Sequence, residues 1–466
     1  MLYPGPVRRA QICGIALWLL AACSPPGAEL RPATGLLLVS VDTLRADRLG
    51  TYGYPRPTSP EIDALAAAGT AFTRASASSP WTIPSHMSLM TGLYPHRHGV
   101  TAEQLRLPED IATLASLLRE GGFRTRAVVS SIHLTSGTDF PRGFERLDYV
   151  SEWDLDKGAR LLRNPGPEVT REALAALDEL ADEPFFLFLH YYDVHSDYSP
   201  AKRFRKGLVD AYTGKADGST PLLSAFRKGK VRIGERGRRH LSQLYDAEIR
   251  QLDAQLGRVL RHLDETGMAD STLVILTADH GEEFFEHGSV LHGRSYFEEV
   301  IRVPLLLRGP GVPAGLRSDN LASLVDVLPT ALGLLGLPIP DAVQGMDLSL
   351  AWREGTMQGR EAVLAEADRG LEVPGRYRML RTDRHKLILD SVGGEARIYD
   401  LRVDPMEKQP VADAALARSL SNRLEAMTEE PRRAPAAPPL SAEQREMLQR
   451  LGYGDGAGSP GSGPPR

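Results

Sequence analysis

Gly35-Leu36-Leu37-Leu38-Val39-Ser40-Val41 is an almost unbroken apolar run that ends on Asp42. A strand with one wet face alternates apolar and polar residues. A run without alternation is buried on both faces, as in a parallel sheet covered by helices. Similar runs recur at residues 127–129, 185–189 (FFLFL), 273–276 (LVIL) and 303–307 (VPLLL), the last closed by Gly309-Pro310-Gly311. Helical patterns lie between them. One opens at Ser59-Pro60 and stops at Gly69, with cap, first-turn proline and terminal glycine in their preferred places; others cover 111–120, 169–180 and 242–265. Strands alternating with helices predict a doubly wound α/β domain over residues 35–335, its sheet mostly parallel and flanked by helices.

Outward from that core the chain changes character. Residues 377–382, 386–389 and 396–401 read as short antiparallel strands. A helix over Ala414–Met427 follows, capped by Asp413, so 336–430 is expected to form a small α+β subdomain. Residues 431–466 are a Pro/Gly-rich tail in which Ser441-Ala442-Glu443-Gln444 resembles a capping box opening a short helix to Gly452. At the other end Arg8 and Arg9 precede an apolar run, residues 12–22, too short to span a bilayer and suited to a signal-peptide core. It closes Leu20-Ala21-Ala22-Cys23, which resembles a bacterial lipobox. The expectation is an exported lipoprotein: signal peptide 1–22, lipidated Cys23, tether 23–34, and a body facing the periplasm or cell surface. An ordinary signal peptide is the alternative.

The 466 residues carry 55 Lys+Arg against 60 Asp+Glu, a formal charge of -5, with 42% hydrophobic and 6% aromatic residues. This balance excludes a collagen, a largely disordered chain and a polytopic membrane protein, and it argues against nucleic acid as a partner. Cys13 and Cys23 are the two cysteines. Beyond residue 23 the chain therefore has no disulfide, thiolate metal site or thiol nucleophile. Residues 201–240 hold 12 Lys/Arg against 3 Asp/Glu, a net of +9. That segment reads either as a solvated loop or as a cover that steers an anionic ligand or touches anionic headgroups.

Open parallel sheets bind ligands at the carboxyl ends of their strands. The first strand here ends in Asp42, the FFLFL strand runs into His190, Asp193 and His195, and the LVIL strand ends Thr277-Ala278-Asp279-His280-Gly281. Three strands thus send carboxylates and imidazoles to one edge. In Thr82-Ile83-Pro84-Ser85-His86 the proline suits a first helical turn and Gly92 suits the stop, which puts Thr82 at a helix N-terminus favourable to an anion.

These blocks resemble the sulfatase family of the alkaline phosphatase superfamily. Its signature, Cys/Ser-x-Pro-Ser-Arg followed by Thr-Gly, aligns with Thr82-Ile83-Pro84-Ser85-His86 and Thr91-Gly92, and Leu93-Tyr94-Pro95-His96-Arg97-His98-Gly99 continues it in register. Val39-Ser40-Val41-Asp42, Ala278-Asp279-His280-Gly281, Phe297-Glu298-Glu299 with Arg302-Val303-Pro304, and Tyr399-Asp400-Leu401 with Asp404-Pro405 match the other blocks, covering about residues 35–430. The resemblance implies an alkaline-phosphatase-like fold and an ester hydrolase whose oxidised cysteine or serine, formylglycine, attacks sulfur. This chain departs from that pattern: position 82 is threonine, His86 replaces the signature arginine, Thr43 replaces a second acidic ligand, and Ser131 replaces a lysine beside His133.

The retained set resembles threonine-nucleophile members of the superfamily. Asp42, Thr82, Asp279 and His280 are expected to hold one divalent metal. Imidazole in place of an amide favours zinc or manganese, with calcium and magnesium as alternatives. Thr82 is the expected nucleophile and His195 the expected proton donor to the leaving oxygen. Ser85, His86, His133, His292 and Arg294 are candidate contacts to the anionic ester, with a supporting or rim role as the alternative for His86, His133, His292 and Arg294. Asp193, His195 and His292 form a candidate second metal site. A sulfate or phosphate ester hydrolase is the leading function, followed by a phospho-alcohol transferase acting on envelope components and a non-catalytic binding lipoprotein. Sequence leaves the oligomeric state open.

Overall fold

The computed structural model describes Met1 and residues 32–101, 104–135, 137–150, 153–154, 160–161, 164–355, 359–368, 376–390 and 394–429. The signal-peptide region, Cys23 and the tail helix lie outside the described residues.

The central sheet has eight strands: β1 (Gly35–Val41), β2 (Thr70–Ser76), β3 (Arg124–Val129), β4 (Arg146–Tyr149), β5 (Phe185–Tyr191), β6 (Thr272–Ala278), β7 (Arg302–Arg308) and β8 (Leu316–Ser323). Their spatial order is β8-β2-β7-β6-β1-β5-β3-β4. β1 pairs in parallel with β5 and β6, β3 with β5 and β4, and β8 with β2. β7 alone runs against its neighbours. All seven residues of β1 are buried, as are those of β5 and β6, which is why their sequences do not alternate.

The sheet is flanked by α1 (Pro60–Ala67), α2 (Thr82–Thr91), α3 (Leu114–Glu120), α4 (Gly166–Leu180), α5 (Thr220–Arg227), α6 (Glu235–Thr266) and α7 (Val327–Leu334). α1 and α4 both pack on α6, while α2 packs with α3 and α7. The helix expected from residue 111 begins at Leu114. Thr113 caps it, its side chain accepting the Ser116 N–H while the Ser116 hydroxyl accepts the Thr113 N–H. The basic segment is partly helical: it carries the turn Lys202–Arg205, α5 and the start of α6.

The C-terminal unit is an antiparallel sheet of β9 (Ala362–Asp368), β10 (Arg376–Thr382), β11 (His385–Asp390) and β12 (Ala396–Asp400), with α8 (Ala414–Met427) on it. Asp413 caps α8 by accepting the Ala415 and Leu416 N–H groups at 2.9 Å. Leu364, Leu380, Leu387 and Ile398 pack with Leu420 and Leu424 of α8. On the other face Met379, Ile388 and Tyr399 pack on Phe297 and Val300. The small unit therefore rests on the segment that leads from the β6 edge into β7.

Candidate active site

β6, β1 and β5 are adjacent in the sheet, so their carboxyl ends open on one space. Asp42 follows β1, and its N–H donates to the Tyr191 carbonyl at 2.9 Å. The next residue, Thr43, has φ 58°, a left-handed conformation that a β-branched residue rarely adopts. This turn aims the Thr43 N–H at Asp279 Oδ1 (3.2 Å), which also accepts the His280 N–H (2.9 Å). Tyr245 holds the turn by donating to the Thr43 carbonyl at 2.7 Å.

With Oδ1 so occupied, Asp279 Oδ2 is left over. Oδ2 and both Asp42 oxygens are buried and have no hydrogen-bond partner. Buried, unpartnered carboxylate oxygens are costly, and burial pushes both carboxyls up from their ordinary range. Asp42, Asp279 and His280 present ligand atoms within 4.8 Å of one another. His280 Nδ1 lies 3.0 Å from the Gly281 carbonyl, which fixes its proton there and leaves the Nε2 lone pair facing inward. Metal-binding imidazoles are commonly oriented in this way. The residues fit a divalent cation.

Thr82 opens α2, and all ten residues of that helix are buried. Its Oγ1 is 3.3 Å from His280 Nε2. Thr82 and Ile83 are the first two residues of the helix, so their N–H groups have no intrahelical acceptor, a cradle for an anion. Gly92 ends the helix at φ 67°, its N–H on the Ser88 carbonyl.

Two residues expected to contact the substrate, Ser85 and His86, have hydrogen-bond partners within the fold. The Ser85 hydroxyl donates to the Asp279 carbonyl at 2.6 Å, and so it braces the metal-ligand strand end. His86 is fully buried. Its Nδ1–H donates to the Thr82 carbonyl at 2.8 Å and its Nε2 accepts the Ser40 hydroxyl at 2.9 Å. Both nitrogens are spent, and burial pushes the imidazole down to about 4, so the residue standing at the arginine position is neutral.

His195 and His292 do face the site. Their rings are 5.0 Å apart, and His292 is 4.3 Å from the His280 ring. His195 Nδ1–H donates to the Ser196 carbonyl at 2.8 Å, which leaves Nε2 as an acceptor. His292 Nδ1–H donates to Glu282 Oε1 at 3.0 Å, and the other Glu282 oxygen accepts the Tyr198 hydroxyl at 2.9 Å. Burial lowers both imidazoles. His133 is buried beside Trp81, their rings 6.1 Å apart, and burial followed by the neighbouring histidines pushes it down to about 3. Arg294 is half-buried, two residues beyond His292. Asp193 does not join His195 and His292. Its Oδ1 accepts the Gly166 N–H at the start of α4 (2.9 Å), because it follows a strand end aimed at that helix.

Sequence reading passed over Glu282 as the carboxylate that orients His292 and placed His190 at this edge without giving it a role. The signal for Glu282 was its place beside Gly281. Its bond to His292 crosses a turn that no spacing rule predicts.

The sulfatase family profile matches residues 35–337, well over half of the chain, and the profile described as N-sulphoglucosamine sulphohydrolase, C-terminal, matches residues 286–434. The chain belongs to the sulfatase family. A Delta 4,5-hexuronate-2-O-sulfatase of Bacteroides thetaiotaomicron is 25% identical over 429 residues, covering 84% of this chain and 87% of that protein. Among solved structures, the phosphonate monoester hydrolase of Agrobacterium radiobacter superposes with TM-score 0.70 at 24% identity, covering 86% of this chain and 95% of that one. A protein solved with its substrate D-glucosamine-2-N,6-O-disulfate does so with TM-score 0.70 at 21% identity, covering 86% and 98%. As a sulfatase the chain is a hydrolase of sulfate ester bonds. Its alkaline-phosphatase-like fold is shared with these structures.

Proposed function

We propose that this sulfatase hydrolyses sulfate esters of sugars at a divalent cation held by Asp42, Asp279 and His280, with the Thr82 hydroxyl in the role that formylglycine fills elsewhere in the family. The observation that carries the reading is the 3.3 Å approach of Thr82 Oγ1 to His280 Nε2 beside three partnerless carboxylate oxygens. The sugar portion is supported by the relatives, a hexuronate sulfatase and a protein holding a glucosamine disulfate.

When bound, the cation neutralises charge on the transferring group and favours the ionised form of the threonine. The residues supply the rest. The α2 N-terminus orients the anionic sulfuryl group with its free N–H groups. Thr82 Oγ1 forms a bond to sulfur as the bond from sulfur to the sugar oxygen breaks, and that oxygen leaves with a proton. Water then attacks sulfur, the Thr82 oxygen departs and regains a proton, and sulfate is released. His195 rests as the Nδ1–H tautomer, so its Nε2 first accepts a proton and afterwards returns one to a leaving oxygen. Glu282 holds His292 with Nε2 directed into the site. Anchoring through a lipidated Cys23 is part of the same proposal.

The test is turnover of aryl sulfate and sulfated monosaccharides by the wild type, Thr82→Ser and Thr82→Ala, with intact-mass analysis of quenched reactions. Activity that survives in Thr82→Ser, vanishes in Thr82→Ala and leaves a sulfuryl adduct on residue 82 supports the reading. Unchanged turnover by Thr82→Ala overturns it. Aryl phosphate and phosphonate in parallel reveal a preference for phosphorus.

A further inference from the structure

We propose that His190 is an additional protein ligand of the divalent cation, reaching it from the Asp42 side, where its Nε2 lies 3.6 Å from Asp42 Oδ2. The inference rests on the metal reading above and concerns a residue outside the Asp42, Asp279 and His280 set.

The placement follows from the sheet. His190 lies opposite Ser40 in the parallel pairing of β5 with β1. Paired residues of neighbouring strands share a face, as do residues two apart along a strand, so His190 shares its face with Ser40 and Asp42. The Ser40 hydroxyl is turned to His86 at 2.9 Å, which leaves His190 beside the carboxylate. Its Nε2 is 3.6 Å from Asp42 Oδ2. That is long for a hydrogen bond. It suits two donors around one small ion: bonds of about 2.0–2.1 Å at tetrahedral angles separate neighbouring ligands by roughly 3.3 Å. His280 Nε2 and Asp279 Oδ2, already paired in the set, show the same relation at 3.3 Å.

The second observation is an unmet need. His190 is fully buried, and neither ring nitrogen has a hydrogen-bond partner. Its ring neighbour His86, 5.2 Å away, has spent both nitrogens on Ser40 and Thr82. A neutral imidazole ordinarily donates from one nitrogen and accepts at the other, and leaving both idle in a packed interior calls for an explanation. The idle Asp42 oxygens face it. One cation between them satisfies both sides, and two nitrogen donors favour zinc or manganese over calcium.

The experiment uses the full chain stripped of metal: zinc titration by calorimetry, visible spectra of the cobalt(II) form, and thermal unfolding with and without zinc. The samples are the wild type, His190→Phe, His190→Ala and, as a reference for a lost ligand, His280→Ala. We expect His190→Phe to bind zinc at least about 100-fold more weakly, at or beyond the top of the range for residues that only support a ligand. Its cobalt bands should weaken and shift. Its metal-free form should be at least as stable as the metal-free wild type, because two idle polar atoms are gone. His190→Ala repeats the binding test if the phenyl ring does not fit. Zinc affinity within about threefold of wild type and unchanged cobalt bands, while His280→Ala loses both, would overturn the role of His190 alone. A wild type that binds neither ion would sink the metal reading and this inference together.

Discussion

His280 faces the Thr82 hydroxyl across 3.3 Å with one nitrogen and donates to the Gly281 carbonyl at 3.0 Å with the other. The second bond decides the first. With the proton fixed on Nδ1, the side presented to Thr82 and the two carboxylates is a lone pair, a donor for a borderline-soft ion. If the site prefers zinc or manganese, as its imidazole predicts, replacing that lone pair by the amide oxygen of His280→Asn should shift it towards calcium and magnesium. We expect zinc affinity to fall about 10–100-fold and the calcium-to-zinc activity ratio to rise. Metal content after dialysis against each ion, with activity in each, checks this. An unchanged zinc preference would remove His280 from the coordination set.

Lys386 of β11 is completely buried, with Nζ 3.0 Å from both Glu298 and Glu407. It fastens the C-terminal sheet to the segment before β7. Lys386→Met keeps most of the volume but leaves the buried Glu407 without its cation and Glu298 with Arg381 alone. The expected cost is about 3–5 kcal/mol, read as a lower urea midpoint. The exposed Arg124, which pairs with Glu145 and Glu183 at the surface, is the contrast: solvent screens those pairs, so Arg124→Ala should leave the urea midpoint almost unchanged. Equal effects from the two substitutions would show that the buried lysine is not a fastener.

The same cluster sets an acid limit. Glu298 feels an opposing burial penalty, but Arg381 and Lys386 outweigh it and hold its carboxyl down at about 2. A depressed carboxyl stabilises the fold above its unfolded pKa, and that contribution disappears as protons bind. Stability should therefore fall between pH 4.5 and 2, by an amount on the order of 1–3 kcal/mol from this group. Glu407 acts in the opposite sense: burial pushes it up to about 7, so its contribution declines as pH rises from 4.5 through 7. Urea midpoints at pH 3, 5 and 8 should peak at the middle value, and Glu298→Gln should flatten the acid limb. An acid limb as steep in Glu298→Gln as in wild type would assign the loss elsewhere.

The parallel core was legible because burial on both faces leaves a composition signature: β1, β5 and β6 are runs of Leu, Val, Ile and Phe. β2 (TAFTRAS) and β8 (LRSDNLAS) carry polar residues and were not visible as strands, since pairing across the sheet rather than local pattern makes them extended. Position 42 and positions 279–280 were legible as strand ends. What sequence could not supply is which nitrogen each histidine offers. His86 reads like His195 on paper, yet His86 spends both nitrogens inside α2 and β1, while the His195 ring lies 5.0 Å from that of His292. Asp193 reads like a ligand, and its Oδ1 accepts the Gly166 N–H at the α4 N-terminus.

The basic segment reaches the site through α5. Phe226 packs edge-on against Phe285 at 4.9 Å, and Arg227 at the end of that helix donates to the His292 carbonyl at 3.5 Å. Lys230 and Arg232 beyond it are exposed and form no ion pair among the described residues. A guanidinium at the rim, continued by solvated cations, suits a substrate with more than one anionic group, because long-range attraction raises encounter rates and a close contact slows release. Arg227→Gln should raise KM about tenfold with kcat changed less than about threefold. Lys230→Gln combined with Arg232→Gln should lower kcat/KM for a multiply sulfated oligosaccharide, and reduce its salt dependence, while sparing a small aryl sulfate. Equal losses on both substrates would place these cations outside recognition. A loss confined to kcat in Arg227→Gln would instead make that residue a prop for His292.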